Sequence, residues 1–309
     1  MTLRIGTRGS PLALAQANDV RTRLIAAHGL QDDAVTIRVI KTSGDTIQDR
    51  PLSEVGGKGL FTKEIEEALL ANEIDLAVHS MKDVPTVLPD GLIISTILER
   101  EDPRDAFISL KYATLSAMPP ATVVGTSSLR RQAQVQRARP DLKVINFRGN
   151  VQTRLSKIAG GVADATFLAM AGLNRLGLAD RATAAIDTSI MLPAVAQGAV
   201  GIEIRAHDAA TAQALAPLNH TITAICVTAE RAFLAKLEGS CRTPIAGLAE
   251  LSGSTLTFRG EILTPDGKAC HATAHTGPAD QAAQIGTDAA QVLLERAGPE
   301  FFKALGLQS

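Results

Sequence analysis

Short apolar runs alternate along this chain with longer stretches whose apolar residues recur every three or four positions. Runs of four to six apolar residues between turn signals suit buried strands, and the three-to-four spacing suits amphipathic helices. Leu3–Gly6 is such a run, followed by the turn Thr7-Arg8-Gly9-Ser10 and by Pro11, a residue suited to a first helical turn. Leu12, Leu14, Ala15, Ala17 and Val20 to Ile25 then carry a helical stripe. Strands are expected at Val35–Ile40, Ile74–Val78 and Leu92–Leu98, with a helix over Thr62–Asn72. The polar, glycine-rich stretch Thr42–Gly59 reads as a long loop.

After the charged segment Glu99–Asp105 the alternation restarts. Val123–Gly125, Val144–Phe147 and Ala165–Ala169 read as strands, and Ser128–Arg139 and Val151–Ala159 as helices. Both halves put a Gly-Thr turn between a first strand and a helix: Gly6-Thr7 in one, Gly125-Thr126 in the other. This order predicts largely parallel sheets covered by helices, with ligands held at the strand ends where helix N-termini present unpaired N–H groups. Two such ends facing each other would form a cleft. Met191–Gly201 reads as a return crossing, and Val200–Ile204 as a strand able to rejoin the first sheet. Beyond Asn219 the pattern changes to a helix over Thr221–Leu237, alternating strands through Ile245–Ala274 and a last helix over Asp280–Arg296.

Charge alters this picture most between Gly125 and Lys157, where six arginines and two lysines stand against the single acid Asp141. The whole chain carries a formal net charge of -1, so the positive charge is concentrated there. Two readings compete: solvated helix surface, which suits Arg137 and Arg139, and a site for several carboxylates or phosphates. The second better suits Arg130, Arg148 and Arg154, which lie in or beside turns. Nucleic acid is disfavoured, because Phe147 is the only aromatic of the segment and no zinc-finger spacing occurs. The 309 residues, 45% hydrophobic and 20% charged, fit two or three globular domains. No secretory segment or membrane span is visible, and three cysteines without a pairing motif suit a reducing cytoplasm.

Individual residues carry open alternatives. Gly56-Gly57-Lys58-Gly59 fails the phosphate-loop pattern and is either a lid bearing Lys58 or a plain surface loop. Asp83, beside Lys82 at a strand end, either caps the next turn or serves ligand N–H groups and developing positive charge. Cys241, in a turn beside Arg242, has the surroundings of an activated thiol, whereas Cys226 reads as structural and Cys270 as without chemical company. The six histidines are scattered, His271 and His275 read as surface strand residues, and no metal site is expected.

Nine ordered segments carry a resemblance: Ile5–Gln16, Val55–Phe61, Ala77–Pro85, Glu99–Phe107, Val124–Gln132, Phe147–Asn150, Thr153–Lys157, Leu192–Gly201 and Leu237–Pro244. In these the chain resembles the porphobilinogen deaminase (hydroxymethylbilane synthase) family from its first strand to its last domain. Ser240 stands at the second glycine of the usual Leu-Glu-Gly-Gly-Cys, and Ala196 where glycine is common. The resemblance implies an α/β fold of two lobes like periplasmic binding proteins with a cleft between them, plus a C-terminal α+β domain. The expected domains are 1–98 with 199–218, then 99–198, then 219–309, with hinges near Glu99–Asp105 and Leu192–Gly198.

The resemblance also implies a dipyrromethane cofactor joined by thioether to Cys241. Four porphobilinogen molecules would be condensed head to tail with loss of ammonia, and water would release the linear tetrapyrrole, in tetrapyrrole and heme biosynthesis. Asp83 would stabilise the cationic azafulvene and shuttle protons. Arg8, Ser10, Arg148 and Arg154 would hold the substrate's acid groups, while Lys82, Thr126, Ser127, Ser128, Arg130 and Arg131 would hold the cofactor's. Lys58 and Phe61 would belong to the lid. The expected protein is a cytoplasmic monomer with no nucleic-acid or membrane partner. The rival is a non-catalytic solute-binding protein or regulator domain, which needs no poised cysteine.

Overall fold

In the computed structural model, residues 2–46, 59–239 and 243–304 are described. They cluster into two compact units, one of residues up to 101 with 198–224, the other of 102–197 with 225 onward.

The first unit is built on a five-stranded sheet in the order β2-β1-β3-β10-β4. Its strands are β1 (Leu3–Thr7), β2 (Val35–Val39), β3 (Leu76–Ser80), β4 (Leu92–Ile97) and β10 (Val200–Arg205). β1 pairs parallel with β2 and β3, while β10 runs antiparallel between β3 and β4. The crossing before Val200 therefore does return the chain to the first sheet. Helix α1 (Pro11–His28) starts where Ser10 accepts a hydrogen bond from the Ala13 N–H, and stops at Gly29, in the left-handed region at φ 60°. Its Ala17, Val20 and Leu24 are fully buried against β1, β2 and β3, each large side chain contributing about 1.5–3 kcal/mol. The short α2 (Ser43–Thr46), α3 (Lys63–Leu70) and α7 (Ala209–Leu215) complete the cover.

The second unit repeats the arrangement. Its sheet runs β7-β6-β8-β5-β9, with β5 (Asp105–Ile108), β6 (Val123–Gly125), β7 (Lys143–Ile145), β8 (Ala165–Ala169) and β9 (Ala184–Ala185). β6 is parallel to β7 and β8, and β5 is antiparallel to β8 and β9, so β5 holds the place that β10 holds in the first unit. Each half of the chain lends one strand to follow a crossing. α4 (Leu129–Ala138), α5 (Val151–Ala159) and α6 (Met170–Arg175) flank this sheet. β5 differs from the expectation of a charged hinge ending at Asp105. Its first residue is an acid, yet it is fully buried, because two arginines neutralise it.

The C-terminal layer is an antiparallel sheet of β11 (Ile245–Ser252), β12 (Thr255–Leu263) and β13 (Cys270–Pro278), covered by α8 (Thr221–Lys236) and α9 (Ala282–Ala304). Gly253 and Gly267 turn the two hairpins with positive φ. Phe233 of α8 packs on Phe258 of β12 with ring centroids 4.8 Å apart. A side chain at Gly286 of α9 would strike the Ala229 carbonyl at 2.0 Å, so the glycine permits close helix contact. The last helix breaks at Gly298-Pro299, two residues beyond its expected end at Arg296.

Candidate active site

In both units the candidate residues stand where β1, β3 and β6 end. Gly6 and Gly125 close β1 and β6 in equivalent places, and neither has room for a side chain. A Cβ on Gly125 would lie 2.5 Å from the ring of buried Phe147, and one on Gly6 would lie 2.2 Å from Ile74 Cδ1. The threonines that follow, Thr7 and Thr126, are buried, and the serines Ser10 and Ser128 cap α1 and α4.

In the first unit, Arg8 lies directly beyond β1 with its guanidinium 4.2 Å from the centre of the Phe61 ring. That stacking ties Arg8 to the residue expected of the lid. Ser10 is half-buried and its Oγ accepts from Ala13. Lys82 and Asp83 sit half-buried on a single 3₁₀ turn, Met81–Asp83, that continues β3. The Val84 N–H closes that turn on the Met81 carbonyl, so the reading of Asp83 as a mere cap for the next turn has no hydrogen bond behind it among the described contacts.

Beneath the same strand lies a polar group that sequence reasoning did not find. His79 Nε2 is 2.9 Å from Glu203 Oε2 across the β3–β10 pair, and both are buried. The carboxyl of buried Glu66 on α3 is held above its ordinary value by burial and by nearby Glu203. Its signal in the sequence is slight: a histidine inside an apolar strand and a glutamate in the run Gly201-Ile-Glu-Ile.

In the second unit the arginine concentration divides. Arg130 and Arg131 are buried and both meet Asp105. Arg130 donates from Nη2 to Asp105 Oδ2 at 2.8 Å and from Nη1 to the Leu192 carbonyl at 2.8 Å. Arg131 donates from Nε and Nη2 to Asp105 Oδ1 and from Nη1 to the Phe167 carbonyl. Gln197 adds a third donor to Oδ1 at 2.8 Å. Burial alone would raise the Asp105 pKa, but the two guanidinium charges hold it well below the carboxylate range. Each terminal nitrogen of Arg131 has a second hydrogen beyond these bonds.

Arg154, on α5, donates from Nε to the Gly149 carbonyl at 3.0 Å and from Nη2 to Ser127 Oγ at 3.2 Å. Ser127 passes the link on, donating to the Phe147 carbonyl. Burial, with Arg131 and Arg148 close by, lowers the Arg154 pKa to about 10. An arginine so crowded by like charge stays protonated and is stabilised by any anion brought to it. The Phe147-Arg148-Gly149-Asn150 turn is shaped by Gly149 at φ 124° and by Asn150, which caps α5 through the Thr153 N–H. Lys157 donates to the Arg148 carbonyl at 2.9 Å.

Three expectations are corrected. Arg139 is not solvated helix surface: it pairs with Asp141 and donates to the carbonyls of Leu115, Ser116 and Met118, which pins the Tyr112–Ala121 region. Arg137 is exposed as expected but is not without partners, donating to Cys270 Sγ at 2.9 Å and lying 3.7 Å from Glu261. Cys270 thus has company, and burial together with Glu261 raises its pKa, which makes the thiol less reactive. Sequence spacing could not reveal a contact between residues 137 and 270. Cys226 is buried as expected. His271 is half-buried and edge-on to the Phe301 ring at 5.1 Å rather than a bare surface residue.

Ala196 takes up the left-handed conformation at φ 59°, which glycine adopts freely, and its N–H donates to buried Glu230 on α8. Cys241, Ser240 and Lys58 lie outside the described residues. Among the described residues no three His, Cys, Asp or Glu side chains form a group able to hold a metal ion. No helix among them is long and apolar enough to cross a membrane.

Two family models match the chain. "Porphobilinogen deaminase, dipyromethane cofactor binding domain" matches residues 3–213, and "Porphobilinogen deaminase, C-terminal domain" matches residues 224–295. The curated porphobilinogen deaminase of Paracoccus denitrificans (strain Pd 1222) is 61% identical over 300 residues, covering 97% of this chain and 96% of that one. The one from Nitrobacter hamburgensis is 57% identical over 298 residues, covering 96% and 94%. Among solved structures, the methionine-binding protein MetQ is similar at a TM-score of 0.44 and 13% identity, over 70% of this chain and 89% of that one.

Proposed function

Because the chain belongs to the porphobilinogen deaminase family, we propose that its strand-end arginines and Asp83 carry out the assembly of a linear tetrapyrrole. The activity is that of a hydroxymethylbilane synthase, a transferase of tetrapyrrole biosynthesis. It joins four porphobilinogen molecules head to tail with loss of ammonia, and water then releases hydroxymethylbilane. The dipyrromethane cofactor, when bound, supplies the pyrrole carbon to which the first substrate is joined.

The residues present suit such a group. Each pyrrole carries acetate and propionate arms, and Arg154, crowded by Arg131 and Arg148, is a cation with no matching carboxylate among the described residues. That crowding is the observation that carries the reading. Thr126, Ser127 and Ser128 lie at the N-terminus of α4, where hydroxyl and backbone donors favour anions. We assign these three, Lys82 and the remaining Arg131 hydrogens to the cofactor's acid groups. Arg130, whose guanidinium is held by Asp105 and Leu192, positions its neighbour. Arg8, Ser10, Arg148 and Arg154 take the incoming substrate's arms, and Cys241 is the attachment point.

Loss of ammonia leaves the substrate's aminomethyl carbon electrophilic and its ring cationic. Asp83, on its 3₁₀ turn, accepts the ring N–H, stabilises that charge and takes the proton released as the new carbon–carbon bond restores aromaticity. Phe61 holds Arg8 by its ring, so the residue expected of the lid touches a side chain assigned to the substrate's anion. The protein acts as a cytoplasmic monomer.

Intact mass tests the assignment. Purified protein should exceed its sequence mass by one dipyrromethane, and Cys241→Ala should remove both the excess and the red colour with Ehrlich's reagent. Asp83→Asn should keep the excess mass but lose nearly all turnover. Retention of the extra mass in Cys241→Ala would overturn the attachment site.

A further inference from the structure

On the face of the first sheet that α3 covers, Ile65, Leu69, Ile74, Ala77 and Leu92 form a buried apolar cluster. Three ionisable side chains enter that layer from three elements: His79 of β3, Glu203 of β10 and Glu66 of α3. None is more than 6% exposed. Desolvation of a buried ion pair commonly outweighs the attraction between its members, so leucines of similar volume would hold this layer at least as well. Stability alone therefore gives no reason for the His79–Glu203 pair, and its use lies in what it fixes.

What it touches is the end of β3. β1 pairs with β3 at Leu76 and Ala77, short of the strand's last residues. From Val78 to Ser80 the ladder runs on β10, opposite Ile202, Gly201 and Val200, and the Met81 N–H then donates to the Ala199 carbonyl at 3.0 Å. Glu203 stands opposite Ala77, so its side chain crosses diagonally to bring Oε2 within 2.9 Å of His79 Nε2, two residues nearer the strand end. One step further along the same face is Met81, the first residue of the turn that holds Lys82 and Asp83. Its Sδ fills the space that a Cβ on Gly201 would need. The contacts His79–Glu203 and Met81–Gly201 thus lie side by side in one row between the two strands. Burial and the charge of Glu203 make Glu66 hold its proton more readily, which leaves Glu203 as the carboxylate that His79 meets.

We propose that His79 and Glu203 are positioning residues for Asp83: their hydrogen bond locks the end of β3 against β10 and so fixes where the Met81–Asp83 turn presents its carboxylate. This rests on the assignment of Asp83 as the acid–base group of the reaction. A displacement of a reacting group by an ångström is enough to slow a reaction severely, so a bond that adds little to stability can still matter to rate.

Steady-state kinetics of porphobilinogen consumption by the full-length holoprotein test this. His79→Leu/Glu203→Leu should melt at or above the parent's temperature and keep the dipyrromethane mass. It should lose about 10-fold or more in kcat, with KM changed by less than about 3-fold. Two single substitutions separate reach from charge, and they decide the matter should the double variant fail to fold. Glu203→Gln keeps an acceptor at the same reach and should retain most of kcat. Glu203→Asp keeps the charge but withdraws it by one methylene, and should lose kcat much as the leucine pair does. In the Asp83→Asn background the leucine pair should cost less than about 2-fold, because the group it positions is already gone. Parental kcat in both the leucine pair and Glu203→Asp overturns the proposal. So does an equal loss in the two backgrounds, which would make the pair a structural one. Parental turnover in Asp83→Asn is a different failure: it overturns the assignment of Asp83, and the proposal with it.

Discussion

Arg131 grips Asp105 with two nitrogens on one oxygen, Nε at 3.2 Å and Nη2 at 2.7 Å, in a place where the carboxylate is fully shielded from water. Arg130 takes the other oxygen. A pair of cations held this way depends on its acid far more than a surface pair does. Asp105→Asn leaves two buried guanidinium groups uncompensated and should cost about 3–5 kcal/mol of unfolding free energy in urea. Asp102→Asn, which breaks a partly exposed pair with Arg104, should cost about 1 kcal/mol or less. Equal losses from the two would mean that the buried triad has no special weight.

Arg154 should separate function from stability. Its replacement by Gln removes two hydrogen bonds to neutral partners, worth about 1 kcal/mol each, and also relieves crowding by Arg131 and Arg148. The unfolding temperature without substrate should therefore change little, while kcat/KM for porphobilinogen falls about 10-fold or more. A fall in unfolding temperature matching that of Asp105→Asn would make Arg154 a structural residue instead.

Glu66 predicts a pH effect of definite sign. An acid whose folded pKa lies above its ordinary 4.5 holds its proton more tightly when folded. Its contribution to stability is whole below that ordinary value and is lost as pH rises through the raised one. Glu66→Gln keeps a neutral group beside Glu203 at every pH. The variant's melting temperature should match the parent's below the ordinary 4.5 and exceed it by a margin that grows as pH rises from there through the raised value. A margin that stays constant across that range rules out titration of Glu66 within it.

Gly125 makes a packing prediction with a functional echo. Alanine there would press its Cβ to 2.5 Å from the Phe147 ring, an overpacking that should cost about 1–3 kcal/mol. Displacing Phe147 also moves the carbonyl that receives Ser127, so activity should fall along with stability. Adding Phe147→Leu should recover part of both, and failure to recover either would place the damage elsewhere than in that contact.

Much of this protein is legible in its one-dimensional pattern, because local forces decide it. Apolar periodicity marks most strands of both sheets and the helices α1, α3, α4 and α5, while the short β5, β9, α2, α6 and α7 escape it. The strand Val123–Gly125 and the helix Val151–Ala159 fall where the pattern puts them. Ser10, Ser128 and Asn150 cap helices because a short polar side chain before an apolar stripe can reach the third N–H of the same turn. The family, too, could be read from the ordered motifs, since each is a contiguous string. What lay beyond that reading depends on partners far apart in sequence. Asp105 looked like the tail of a charged hinge until Arg130, Arg131 and Gln197 came to neutralise it. Arg137 keeps the solvent exposure its position suggests, yet the β12–β13 hairpin also brings Cys270 and Glu261 beside it. A single sequence displays which side chains are charged, but whether a charge is spent or spare is decided by Coulomb and hydrogen-bond partners that only the folded chain assembles.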